Sequence, residues 1–395
     1  MALGALIGAY QEDDNGGLRA LYPLAGRTLV EYQVRCAAAA GAAPIVVLVE
    51  RLPVALNDAL ERLRAEGLAV TAVSDSQDAA SRFEAGMPIL LMADGLAPDF
   101  GLLTRVAEHA EPVVALVPDD DAHQAFERID GNSRWAGVAL VDAATLGSTA
   151  AMLGDWDLQS TLLRRVVQGG ARRLIPGENE SGALLADKPE DLADFERRLL
   201  VATRGSRSDW ASRYALPIVE EFATERLMES RVRPQWLLVA ALSLIAIAGF
   251  GFTRGWLWQS YILLLLATPL DLVAERLAAL RLRPLPPSTL SLRLLWPFAG
   301  IALLALGWWV GNHDGGWGAT LAALTTAAFA QAARNEAEGS EIPGEVWLFS
   351  RSNAIIGAAP FVMGGWWTGL LVTLLLYAGG SLFVAQHMRH RLLRD

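Results

Sequence analysis

At Pro234 the sequence changes from short apolar runs broken by charge to long ones that are scarcely broken. Six stretches follow: Trp236–Phe252, Trp256–Val273, Leu290–Val310, Gly316–Ala333, Val346–Met363 and Trp366–Gln386. Most approach the roughly 20 apolar residues that carry a helix across the hydrocarbon core of a bilayer. The fifth is the weakest, because Arg351 and Asn353 interrupt it. A soluble half followed by an all-α, six-span transmembrane half is the division these runs predict.

Arginines cluster at Arg231 and Arg233, at Arg276, Arg281 and Arg283, at Arg334 and Arg351, and at Arg389, Arg391 and Arg394. These clusters fall on alternate sides of the six stretches. By the positive-inside rule both termini and the soluble half then lie in the cytoplasm, with the chain in a bacterial-type inner membrane. Trp256, Trp258, Trp308, Trp309, Trp317, Trp366 and Trp367 sit at the opposite ends and read as an interfacial belt. The proline-broken, basic loop Arg281–Ser288 suits contact with lipid phosphates, so membrane lipids are the first expected partners.

The N-terminal half alternates strand-like and helix-like segments. Ala2–Ile7, Ile45–Val49, Ala69–Val73, Ile89–Met92, Val113–Val117 and Val138–Val141 have the length and apolarity of buried strands. Leu29–Ala40, Val54–Glu66, Gln77–Ala85 and Phe100–His109 have helical length and spacing. This order predicts a Rossmann-like α/β fold, a mostly parallel sheet covered by helices on both faces, with ligands outside the carboxyl ends of the strands. The formal net charge of −10 argues against a nucleic-acid partner. A single cysteine, Cys36, excludes an internal disulfide framework and reads as a small core residue. The first eight residues lack the basic start and the length of a signal peptide.

Two strand ends carry candidate chemistry: the loop Gly8–Arg19, and Asp94-Gly95 after Met92. Asp94 reads either as a Mg²⁺ ligand or as half of a turn-forming Asp-Gly pair. Glu12, Asp13 and Asp14 read as a solvated loop tip. With Leu21–Tyr32, these two motifs make residues 1–200 resemble nucleotidyltransferases of the sugar-nucleotide and MobA-like kind. The resemblance implies that the first loop, with Gly8 and Arg19, holds a nucleotide, and that Asp94 holds Mg²⁺. The chain departs from that pattern at Glu12, Asp13 and Asp14, where the family has glycines and cations, and at Arg19, which stands in place of its lysine. Three acids beside a triphosphate oppose its binding, because phosphate cradles work through N–H groups and cations.

Ala215–Arg226 has the pattern of a helix lying along a membrane surface. Thr268–Ala279 then brings Asp271, Glu275 and Arg276 to the end of an apolar run, with Asp271 and Glu275 four apart on one helical face. Ionisable groups there line a cavity or meet head groups, or else mark where the helix leaves the membrane. The stretch resembles the D-x-x-D-G-x-x-A-R…G-x-x-x-D-x-x-x-D motif of CDP-alcohol phosphatidyltransferases, keeping Asp271 and Ala278. Ala274, Glu275, Ala279, Ser288, Leu292 and Trp296 replace the remaining motif residues.

The two resemblances imply a bifunctional layout of polar-lipid head-group synthesis: residues 1–203 nucleotidyltransferase-like, 204–234 a connector, and 235–395 CDP-alcohol-phosphotransferase-like. They imply Asp271, Glu275 and Arg276 as catalytic groups, Asp94 and Asp271 as metal ligands, Mg²⁺ as cofactor, a nucleotide or CDP-alcohol as ligand, and a homodimer through the membrane half. Because the motif residues are replaced, the expected function is a non-catalytic or regulatory component of lipid synthesis. The alternative is a live transferase with a site remodelled around Asp271, Glu275 and Arg276.

Overall fold

The computed structural model describes residues 2–153, 156–176, 183–202, 209–228, 230, 232–282, 289–337 and 345–392. Arg231, Arg283, the loop 283–288 and Arg394, all invoked from sequence, lie outside the described residues. The chain divides into two compact units, Met1–Ala202 with Arg281–Arg283, and Thr203–Leu280 with Pro284–Asp395.

The first unit is built on strands β1 (Leu3–Gly8), β4 (Ala42–Leu48), β5 (Val70–Val73), β6 (Pro88–Met92), β8 (Val113–Pro118), β9 (Ser133–Asp142) and β10 (Arg172–Leu174). Short antiparallel pairs lie apart from this sheet: β2 (Pro23–Leu24) with β3 (Arg27–Thr28), and β7 (Leu96–Ala97) with β11 (Leu184–Leu185). Helices α1 (Leu29–Ala39), α2 (Val54–Ala65), α3 (Ser76–Ser81), α4 (Phe100–Ala107), α5 (Ala143–Met152), α6 (Leu158–Gln168) and α7 (Leu192–Ala202) follow or cross between strands.

The seven-stranded sheet has the order β10-β8-β9-β6-β1-β4-β5. All six residues of β1 are buried, as its unbroken apolar run requires of a central strand. Only β9 runs against the rest, antiparallel to both β6 and β8. The sheet is therefore mixed, with a parallel core.

Acidic side chains start four of these helices. Asp75, Asp99, Asp142 and Asp157 accept from the backbone N–H three residues on, at 2.9, 3.0, 2.7 and 2.7 Å. Each cap is worth about 1 kcal/mol. At α1 the Glu31 carboxylate instead reaches back to the Thr28 N–H at 3.0 Å. Cys36 is fully buried in that helix, and burial pushes its thiol up, as for an inert core residue.

The second unit is helical: α8 (Pro217–Met228), α9 (Pro234–Thr253), α10 (Leu257–Leu280), α11 (Leu290–Val310), α12 (Trp317–Ala337), α13 (Arg351–Gly357), α14 (Ala359–Met363) and α15 (Trp367–Leu392). Among the described residues three segments, Pro234–Thr253, Leu290–Asp314 and Trp367–His390, are long and apolar enough to cross a membrane. The fifth expected stretch, Val346–Met363, is not one helix: its Ser350 caps α13 at Asn353 N–H, 3.0 Å away, and a separate short α14 follows. Pro269 and Pro297 lie inside α10 and α11, each removing one intrahelical N–H.

Small residues let these helices approach. A Cβ on Gly307 would stand 2.5 Å from the Ala323 methyl, and one on Gly249 would stand 3.4 Å from Ala302 Cα. Such close backbones bring the helices into van der Waals contact. On α8, Glu220, Thr224 and Met228 turn inward at i, i+4 and i+8, leaving Ile218, Val219 and Phe222 exposed. The expected surface helix thus buries Glu220, one of its acids, and leaves part of its apolar face exposed beside Glu225 and Arg226.

Candidate functional site

In the first unit, β1 and β6 lie side by side with Ile7 opposite Met92, so the loop after Gly8 meets Asp94. The approach is close at Gly8, where a Cβ would stand 3.1 Å from Asp94 Cβ and 3.0 Å from Gln159 Oε1. Gly95 has φ of +71°, the left-handed turn that the Asp-Gly pair predicts. Asp94 is 1% exposed, and its Oδ2 accepts from the backbone N–H groups of Tyr10 and Gln11, each at 2.6 Å. Its Oδ1 is buried without a partner. Burial raises the Asp94 carboxyl above its ordinary range, against the two N–H donors that favour its ionised form.

The rest of the loop closes on itself. Asp13 Oδ1 accepts from Asn15 N–H at 2.9 Å and from Gly17 N–H at 2.7 Å, and the Asp13 and Gly16 N–H groups go to the carbonyls of Gly17 and Asp13. Arg51 pairs with Glu12 at 2.7 Å and donates to the Gly16 carbonyl at 2.6 Å. Arg19 pairs with Asp187 at 2.7 Å. The donors a phosphate cradle presents are here turned toward the loop's own acids. Among the described residues no group of three or more His, Cys, Asp or Glu side chains is placed to hold a metal ion.

In the second unit, a polar pocket of about 380 Å³ is lined by Asp271, Glu275, Trp296, Arg334, Arg351 and Asp209, among others. Asp271 is hydrogen-bonded and ion-paired to Arg351, the residue that interrupts the fifth stretch. Its other oxygen, Oδ1, is buried without a partner. Asp209 accepts from Ser212 N–H at 2.8 Å. The Arg334 guanidinium stands 5.4 Å over the Trp296 ring, a cation–π distance. Arg276 does not join this group. It pairs with Glu220 of α8 at 3.1 Å, both side chains nearly fully buried.

Asn353 fixes the segment that presents Arg351. It is 1% exposed, accepts from Ala211 N–H at 3.0 Å and donates to the Leu348 carbonyl at 2.9 Å. The Tyr377 hydroxyl lies 2.9 Å from the same carbonyl. A buried amide satisfied on both ends is a strong positional constraint.

An apolar cavity of about 330 Å³ adjoins the polar pocket, sharing Trp296, Phe349 and Arg351 with it. Leu264, Leu303, Ile355 and Leu374 are among its walls.

Sequence reasoning grouped Asp271 with Glu275, and both line one pocket. It missed Arg351 as the counter-charge, Arg334 as the cation over Trp296 and Asn353 as the anchor. An arginine inside an apolar run was the available signal, since such a charge demands a partner.

No protein-family model matches the chain, and no curated protein is detectably similar to it.

Proposed function

We propose that the protein is an integral membrane protein of polar-lipid head-group synthesis that is catalytically degenerate in both halves and acts as a non-catalytic or regulatory component. The observation that carries this reading is the ion pair between Asp271 and Arg351. A carboxylate that bridges a diphosphate through Mg²⁺ must offer its oxygens to the metal. Here a guanidinium already neutralises it, and a divalent cation beside Arg351 would meet a fixed positive charge. The loop of the first unit argues the same way, because the N–H groups of Tyr10, Gln11, Asn15 and Gly17 are taken by Asp94 and Asp13. We place the chain in the inner membrane with six passes and with both termini and the α/β unit in the cytoplasm.

One observation favours a live transferase: Glu275 lines the same pocket as Asp271 and Asp209, so three carboxylates face one space. The experiment that separates the readings is release of CMP from a CDP-alcohol by the purified, detergent-solubilised protein with Mg²⁺ or Mn²⁺. No metal-dependent CMP is expected. Release that disappears in Asp271→Asn, with folded protein at the wild-type level, would establish the transferase instead.

A further inference from the structure

We infer that the polar pocket and the apolar cavity beside it hold one zwitterionic phospholipid, with an acyl chain in the cavity and an amine-bearing head group between Arg334 and Glu275. This inference rests on the non-catalytic reading, since it makes the pocket a place where a lipid is kept rather than consumed.

The two spaces share Trp296, Phe349 and Arg351 and have volumes of about 330 and 380 Å³. Each is of the size at which proteins hold small ligands, roughly 300–1,000 Å³. One is apolar and the other lined by charge, so the occupant that fits both is amphiphilic. An apolar cavity of this kind does not hold water stably. Ile301, 59% exposed on α11, stands at its wall and gives lateral access from surrounding acyl chains.

Charge selects the head group. Of the five ionisable groups in the polar pocket, Asp271 and Arg351 neutralise each other, and Asp209, which accepts from Ser212 N–H, keeps a negative charge that adds to the pull of the site on an ammonium. Glu275 and Arg334 remain, of opposite sign, and neither forms an ion pair among the described residues. Arg334 stands over the Trp296 ring, and the fork of its guanidinium can take a phosphate in two parallel hydrogen bonds. Glu275 supplies the acceptor for an ammonium. A head group with phosphate alone leaves Glu275 uncompensated and repels it, so a phosphate and an amine together are the complement.

The test is native mass spectrometry of the full-length protein in detergent with equal amounts of phosphatidylethanolamine and phosphatidylglycerol of matched chains. Wild type is expected to retain one phosphatidylethanolamine in preference to phosphatidylglycerol. Glu275→Gln should reduce that preference about tenfold, the loss of one charge-assisted contact. Arg334→Gln should weaken retention of both lipids. Ala327→Leu, which fills the apolar cavity, should also reduce both, with an unchanged thermal transition as the check that the variant is folded. Equal retention of the two lipids by wild type, a preference for phosphatidylglycerol, or an unaltered preference in Glu275→Gln overturns the inference. Metal-dependent CMP release accompanied by a retained phosphatidylethanolamine would overturn the non-catalytic reading and leave the lipid site standing. No CMP release together with no lipid preference would do the reverse.

Discussion

Arg351 and Asp271 stand 80 positions apart in sequence and are hydrogen-bonded to each other. The side-chain exposures are 9% and 18%, so the pair lies largely out of water. Both members came to attention in the sequence separately, one as a flaw in an apolar run and the other as a retained motif residue. Their pairing explains the first and changes the reading of the second.

Removing one member of a largely buried pair leaves the other charge uncompensated, at a cost of about 3–5 kcal/mol. Asp271→Ala and Arg351→Ala should each lower the unfolding transition in detergent by an amount of that order. The double replacement should cost less than the sum. Additive losses in the double-mutant cycle would mean that the two groups do not interact in solution.

Nucleotide binding tests the loop of the first unit. With the N–H groups of Tyr10, Gln11, Asn15 and Gly17 already taken, the full-length protein is expected to give no calorimetric binding of CTP or GTP with Mg²⁺ at micromolar concentration. Micromolar affinity, about −8 kcal/mol, would contradict a closed loop.

Acid should destabilise the first unit through Asp119 and Asp130. Hydrogen bonds from Arg134 and Arg128 hold Asp119 below its ordinary range, and Ser133, the Asn132 N–H and Arg173 bring Asp130 down to about 2. A carboxyl depressed in the folded state adds stability above its unfolded value, about 3.9, and that stability is lost as pH falls toward the folded value. The thermal transition should therefore drop between about pH 4 and 2. Arg173→Gln, which removes one of the partners of Asp130, should flatten part of that drop.

Asp94 has the opposite sign. Its carboxyl is raised by burial, so its contribution is present at low pH and is lost as pH rises from the unfolded value through the folded one. Asp94→Asn keeps an oxygen for the Tyr10 and Gln11 N–H groups and removes the buried charge. At pH 7 the variant should melt no lower than wild type. A clear loss of stability would show that the charge itself is used.

Topology has its own check. Reporter fusions after Arg254 and after Asn312 should report the outer side, and a fusion at the C-terminus the inner side. An external C-terminus would rule out six passes.

The strands were legible because each is a short apolar run between turn signals. The six strand expectations coincide with β1, β4, β5, β6, β8 and part of β9. The direction of β9 was not legible, since apolarity reports burial and carries no sense of direction. Its first residues, Ser133, Arg134 and Trp135, also lack the apolar run that marked Val138–Val141. Helix α5 escaped notice because Ala143–Met152 is composed largely of Ala, Thr, Ser and Gly and has little amphipathic contrast. In the second unit, the spacing that put Asp271 and Glu275 on one helical face agrees with both lining the same pocket. Arg276, five positions after Asp271, lies about 140° around the helix at 3.6 residues per turn, and so turns to Glu220 instead.

The reversed strand also bears on how the chain is made. β8 reaches the sheet only through β9, which begins at Ser133, while β8 ends at Pro118. On a ribosome adding roughly 5–20 residues per second, Val113–Pro118 emerges a second or more before the strand that seats it. During that interval β1, β4, β5 and β6 have all been synthesised, whereas an apolar segment with free edge groups still waits for its neighbour. Translation slowed just before Ser133 lengthens that wait and exposes the nascent chain to aggregation at one defined segment.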